Sequence, residues 1–444
     1  MTTPAPSRIS SRQGALAVAG SALALFWPGA FAFGLPGVLG PHWQETFGVG
    51  RGAVGAILFF MLAALGIFMF LVGRWQERYG PTMMLAIGAV TAGLSVVALP
   101  FASTIQLLYA WAFVSGASSC FVMIPALTVV QRWYPARRGL MSGIVNLVFG
   151  SAGAVMSPVF AAALGAVDYR TMNLVAGSLA VVFGLAVARL VSVPTTAAGG
   201  GTAPVSPARD LDHGEAGLGS APTLPLPLPL PAPSLTLGQS LRTRNFWLIW
   251  TVWAFQGAAG VAMVSLSVGF GVSRGFAFES AVVILTAFNV TNGLSRILTG
   301  YFSDRLHRAR TMGATFLAAA LAYFLLPHVN ALGTIAVLAA VVGFGFGTLF
   351  AVSAPLAADC FGMAHFGAVY GLIFTAYGFV SGALGPLLGG ALADTSGGYQ
   401  VVFGYLGALC LVSAVLIQFV RPPARPPLSA PAGPTGADRA WSSA

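Results

Sequence analysis

The sequence predicts an all-α membrane protein in which twelve spanning helices form two pseudo-symmetric six-helix bundles. Composition, the number of apolar stretches and a repeat between the two halves point to this architecture. Of 444 residues, 57% are hydrophobic and only 7% charged, against about 25% charged in soluble domains. Twelve stretches are long enough to cross a bilayer, at about 15–39, 53–72, 82–101, 106–130, 139–163, 171–191, 246–271, 280–302, 311–329, 334–357, 367–391 and 399–420. Most gaps between them are short, which makes neighbouring helices antiparallel.

The first stretch is too long for a signal-peptide core and has no clear cleavage site, so it reads as a retained helix. Its segment WPGAFAFGLPG places Pro28 and Gly29 where they would break the helix and open backbone groups to a cavity. The second stretch leaves the membrane as GRWQERYG at 73–80, and the eighth leaves it as GYFSDRLH at 300–307. Gly139, Gly143, Gly150 and Pro158 recur as Gly367, Gly371, Gly378 and Pro386, all at one offset of 228. Such glycines permit close helix packing, and loosely ridged helices can rock past one another. Residues 192–245 are rich in Gly, Pro, Ser and Ala, with PTLPLPLPLPAP at 222–233, and read as a stiff, extended spacer. The expected organisation is therefore a tail (1–14), a first half (15–191), the linker (192–245), a second half (246–420) and a second tail (421–444).

All 21 basic residues are arginines. Apart from Arg296 inside the eighth stretch, only Arg51, Arg170 and Arg274 fall on one side; the rest share the other side with the linker and both tails. The positive-inside rule makes the arginine-rich side cytoplasmic, as expected for a multi-pass protein of the cell (inner) membrane. The net charge of +10 is dispersed over short gaps and forms no basic domain, which argues against nucleic acid as a partner. The absence of lysine removes Schiff-base chemistry. Cys120, Cys360 and Cys410 lie in apolar stretches without metal-type spacing. No nucleophile–base pair, metal cluster or phosphate loop accompanies the spans, so no enzyme, catalytic residue, metal or cofactor is expected.

The eighth stretch, SAVVILTAFNVTNGLSRILTGYF, holds Asn289, Asn292 and Arg296 in its interior, and helical steps put them on one face with Thr299. With Asp304 as the helix exit, Arg296 lies roughly 12 Å inside one end and roughly 24 Å from Ser280. An arginine at that depth costs about 3 kcal/mol or more and usually faces a protein interior or wet cavity with a function. Snorkelling reaches about 6 Å and only partly relieves it.

These features resemble the major facilitator superfamily. Glycine, three residues, then an acid and arginine between helices two and three, echoed between helices eight and nine, is that family's loop signature. The resemblance assigns Gly73, Glu77, Arg78, Gly300, Asp304 and Arg305 to a charge latch that closes the cytoplasmic side in the outward-facing state. A narrower likeness is to monocarboxylate transporters and the related oxalate/formate antiporters. PALTVVQRWYPARRGLMSG at 125–143 resembles their entry into helix five, and FGAVYGLIFTAYGFVSGALGPLLGG at 366–390 resembles their helix eleven. In monocarboxylate transporters a helix-eight arginine binds the substrate carboxylate, with an aspartate one turn earlier; here Arg296 holds the first position and Asn292 the second. Oxalate antiporters carry a helix-eleven lysine, where this chain has Tyr377.

A guanidinium can grip a carboxylate bidentately. Asn292 and Asn289 add neutral polar groups, and Tyr377 can donate to a second substrate oxygen. Phe121, Phe350 and Phe374 would line the site for a short aliphatic tail. One buried cation neutralises one carboxylate, which disfavours a dianion. The expectation is a secondary transporter of a short monocarboxylate, lactate- or pyruvate-like and proton-linked, working by alternating access; an oxalate/formate-type exchanger and a non-transporting sensor are the alternatives. No acid lies well inside a span, so the proton would travel with the substrate or on an edge group such as Glu45 or His42, or transport would be anion exchange. The partners are the small anion, H+ and the bilayer.

Overall fold

A computed structural model describes residues 8–134, 138–191, 235–362, 365–395 and 398–422. Twelve helices are long and apolar enough to cross a membrane, and no strand occurs among the described residues. We number them α1 (Arg12–Phe47), α2 (Arg51–Tyr79), α3 (Pro81–Ala98), α4 (Ile105–Trp133), α5 (Arg138–Ala166) and α6 (Tyr169–Ala188) in the first half. The second half holds α7 (Arg244–Ser273), α8 (Phe278–Leu306), α9 (Arg308–Leu325), α10 (Leu332–Phe361), α11 (residues 366–395) and α12 (Tyr399–Leu416). Residues 1–7, the Pro-rich part of the linker and the tail from 423 lie outside the described residues.

Within each half, helices pack mainly on helices two or three places away in the chain: α2 on α4 and α3 on α6, α8 on α10 and α9 on α12. The halves meet through two antiparallel pairs, α5 with α8 and α2 with α11, and one parallel pair, α1 with α7. Helix ends carry local signals. Asp168 caps α6, accepting from the Thr171 hydroxyl at 2.5 Å and from its amide at 3.1 Å. Those bonds hold the Asp168 carboxyl below the usual carboxylate range. Thr243 caps α7 through Phe246 N–H (3.3 Å). The last linker residues are structured: a short helix, Leu237–Leu241, is closed by a capping box between Thr236 and Gln239. Leu235 N–H just before it donates to the Phe361 carbonyl at the end of α10 (2.9 Å).

Three differences from the sequence reading matter. First, α1 breaks at Leu25 and Gly34, on either side of Pro28–Gly29, into Phe26–Phe33 and Leu35–Phe47, because Pro28 and Pro36 lack N–H groups. Second, α8 continues past Asp304 to Leu306. The turn that ends it sits at His307, φ 67°, where the first half has Gly80, φ 79°. The two repeated loop segments thus end in the same left-handed turn, and in the second half a non-glycine residue bears its strain. Third, α11 loosens to wider i→i+5 hydrogen bonding over Ala376–Ser381 and Ala383–Leu387, beside Pro386 and around Tyr377.

Candidate functional site

Arg296 lies where α8 is enclosed by α5 on one side and α10 on the other. It is 3% exposed, ten residues before the helix end at Leu306, or roughly 15 Å along the axis. Its guanidinium stacks over the Phe350 ring of α10, 4.5 Å from the centroid, and lies 5.7 Å from the Phe149 ring of α5. These rings come from opposite halves and give a desolvated cation partial compensation. Room for it depends on Gly150: a Cβ there would sit 2.6 Å from Arg296 Nε. Arg296 Nη2 donates to Asn292 Oδ1 at 3.3 Å, while Nε and Nη1 are buried without a partner. A buried cation with two unused donors has the chemistry to pair with an anion.

The two asparagines bind the opposite half. Asn292 Nδ2 donates to the Gly150 carbonyl of α5 (3.2 Å), and Asn289 Nδ2 donates to the Phe33 carbonyl (3.0 Å), next to the break in α1 at Gly34. Asn289 Oδ1 is buried and unpartnered. The polar stripe on α8 therefore staples the halves together at mid-membrane, and Asn292 orients Arg296 at the same time. Thr299, one turn on, spends its hydroxyl on the Ser295 carbonyl (2.6 Å).

A cavity lies between the halves, bounded by Phe33, Leu58, Met61, Leu62, Leu65 and Met123 from the first half and Val261, Val264, Phe350, Phe374 and Tyr377 from the second, with Phe149 closing it. Two walls, Phe149 and Phe350, are the rings that flank Arg296. Tyr377 supplies the phenolic hydroxyl among them. The free volume of about 20 Å³ is room for about one water, so a three-carbon acid would enter only after the halves part. Phe350 and Phe374 thus stand at the cavity, but Phe121 does not. It packs against Phe68 (6.5 Å) and Trp75 (5.8 Å) on the far side of α4, because Met123, which does face inward, is two residues and ~200° of helical turn away. Trp253 of α7 went unnoticed in the sequence. It is fully buried at the centre of the aromatic group, 5.0 Å from Phe350, 4.8 Å from Phe374 and 5.5 Å from Tyr377, with its indole N–H unpartnered. Its signal was a tryptophan at mid-span, away from the interfaces that tryptophan favours.

The halves join on the arginine-poor face. Asp394 at the end of α11 accepts from Gly52 N–H at the start of α2 (3.0 Å), Arg51 Nη1 donates to the Ala393 carbonyl (3.3 Å), and the Arg51 guanidinium lies 4.9 Å over the Tyr399 ring. Asp394 thus caps α2 from the other half, a contact that Gly50 at the helix start makes room for. On the arginine-rich face the inter-half helices diverge: positions around Gly73, Gly143, Gly300 and Gly371 are open space. Arg78 and Arg305, in the loop segments, are exposed and lie over rings of their own helices, Tyr79 (5.4 Å) and Tyr301 (4.4 Å). The side chains of Glu77 and Asp304 lie outside the described residues. On this face Arg308 pairs with Asp359 and donates to the Pro355 carbonyl (2.7 Å), tying α9 to α10 within one half.

Twelve spans in two joined halves, with an enclosed cation between them, define a membrane transporter. The sequence profile of the Major Facilitator Superfamily matches residues 22–288 and 275–444, and the chain belongs to that superfamily. It is 25% identical over 352 residues to the oxalate:formate antiporter of Oxalobacter formigenes, covering 79% of this chain and 78% of that one. It is 25% identical over 386 residues to monocarboxylate transporter 2 of Meriones unguiculatus (84% and 76%), and 24% identical over 405 residues to a probable sulfoacetate transporter of Cupriavidus necator (87% and 89%). Among solved structures, a bacterial homolog of the human lysosomal transporter Spinster, in an inward-facing and occupied conformation, superposes with a TM-score of 0.65 at 13% identity, covering 94% of this chain and 96% of that one. The last likeness concerns the fold alone.

Proposed function

We propose that this chain carries a short-chain monocarboxylate, lactate- or pyruvate-like, across the cell membrane by alternating access, with Arg296 as the carboxylate grip. The observation that carries this reading is Arg296 itself: a buried cation between the halves with two free donors. The aromatic and aliphatic walls suit a small tail, and Tyr377 can serve a second oxygen. A single cation favours one carboxylate over two. None of the residues bounding the cavity is acidic, so a proton-linked cycle here moves the proton with the substrate or at an edge group. Gly73, Glu77, Arg78, Gly300, Asp304 and Arg305 take the role of a latch that closes the arginine-rich face when the opposite face opens; Arg78 and Arg305 are exposed on that face. The arginine bias supports cytoplasmic termini.

The first relative named above favours a second reading, exchange of formate-like for oxalate-like anions. One experiment separates the two: counterflow in liposomes with C1 to C4 mono- and dicarboxylates at two external pH values. Uptake of monocarboxylates that rises as external pH falls supports proton-linked transport. Acceleration of formate entry by internal oxalate, without pH dependence, would replace it with exchange.

A further inference from the structure

We infer that the groove between α9 and α12 is a binding site for an anionic phospholipid. It is independent of the anion handled at the central site. The groove is an open cleft of about 360 Å³ on the outer surface of the second half. Its floor is Gly313 and Ala414, and its walls are Leu317, Leu411, Val415 and Phe419. Four of these wall side chains are exposed, from 40% for Leu411 to 52% for Val415. Its floor is shaped by glycine: Gln418 Nε2 crosses over Gly313 to reach the Ala309 carbonyl (3.1 Å), a path that any Cβ at 313 would block.

Charge at one end distinguishes this cleft from an ordinary lipid-facing surface. Arg310 lies on the helical face of Gly313, Ala314 and Leu317, one turn nearer the arginine-rich end of α9. Arg244 at the start of α7 lies 5.3 Å over the Phe419 ring that closes the groove. Arg421 follows α12, its backbone fixed by Asn245 through two hydrogen bonds, 2.8 and 3.2 Å. All three arginine side chains are exposed. Arg308 points elsewhere, to Asp359. An apolar trench long enough for a chain segment, with three exposed arginines at its arginine-rich end, matches an acyl tail joined to a phosphate. A zwitterionic headgroup would bring its own cation to the same arginines, so the charge selects an anionic one.

The test is native mass spectrometry of the full chain from detergent, titrated with phosphatidylglycerol or with phosphatidylcholine of the same acyl chains. Phosphatidylglycerol is expected to bind at least tenfold more tightly. Each arginine near an anionic surface contributes about fivefold, so Arg244→Gln, Arg310→Gln and Arg421→Gln together remove about a hundredfold of that affinity. These side chains are exposed, so the variant folds, and unchanged circular dichroism confirms it. Val415→Trp, which fills the trench, weakens both lipids alike. Equal binding of the two lipids, or selectivity that survives the triple variant, overturns the site. Equal competition by soluble glycerol phosphate would assign the arginines to a free anion and overturn the lipid reading.

Discussion

Arg296 is held in a strained electrostatic situation, and its substitutions separate function from stability. Replacing it with alanine removes a buried charge whose insertion costs about 3 kcal/mol, so the thermal midpoint is expected to stay level or rise. Uptake is expected to fall by at least thirtyfold, since loss of a buried charge-pair partner costs about 2 kcal/mol or more. Arg296→Lys keeps the charge but loses the planar fork, and is expected to raise KM with less effect on folding. A lower midpoint with normal uptake would make Arg296 a structural residue. Asn289→Ala leaves the Phe33 carbonyl without the side-chain donor, which costs about 1–3 kcal/mol. Its thermal midpoint should drop while KM changes little. Asn292→Ala should lower the midpoint and also raise KM, because it frees Arg296 Nη2. Equal KM values for the two variants would end the distinction between staple and orienting group.

At the scale of elements, the α2–α11 junction on the arginine-poor face is the seal of this conformation. Asp394 joins the halves there by capping a helix that begins in the other half. The contact is partly solvated, so its loss is expected to cost about 1 kcal/mol, or about fivefold in the balance between closed and open. In a cysteine-free background carrying Leu58→Cys at the cavity wall, Asp394→Ala should speed labelling by a membrane-impermeant maleimide about fivefold. An unchanged rate would remove the junction from gating. The sequence could not reveal this pair, because Asp394 and Gly52 are 342 positions apart and neither lies in a repeated motif. The same limit explains Phe121. Its ring was legible as an aromatic in α4, but its direction depends on helix rotation, which an apolar span does not encode. The long apolar runs and the glycine offset of 228 did make the twelve spans and the two halves legible. Arg296 was legible because charge inside an apolar run is conspicuous, whereas Trp253 was masked by the hydrophobicity around it.

At the scale of the whole molecule, the glycines of the inter-half helices mark where the halves touch and where they would touch next. Gly66 of α2 meets Gly378 of α11, with a Cβ at 378 only 2.9 Å from the Gly66 Cα; Gly150 of α5 meets Gly293 of α8 at 3.2 Å by the same measure. Seven residues toward the arginine-rich face, two turns or about 10.5 Å along each antiparallel helix, stand Gly73 with Gly371 and Gly143 with Gly300. Both pairs face open space. They are the unoccupied next rung of the same ladder, and rocking the halves to close this face would bring them together. Leucine at Gly66 or Gly378 is expected to overpack the present contact and destabilise the protein by about 1–3 kcal/mol. Leucine at both Gly73 and Gly371 should leave the thermal midpoint nearly unchanged, because nothing stands in its way here. It should nevertheless reduce uptake more than tenfold by blocking closure. If the Gly73 and Gly371 variant transports normally, or unfolds as readily as the Gly66 variant, these glycines are not the closing surface, and the arginine-rich face shuts by another route.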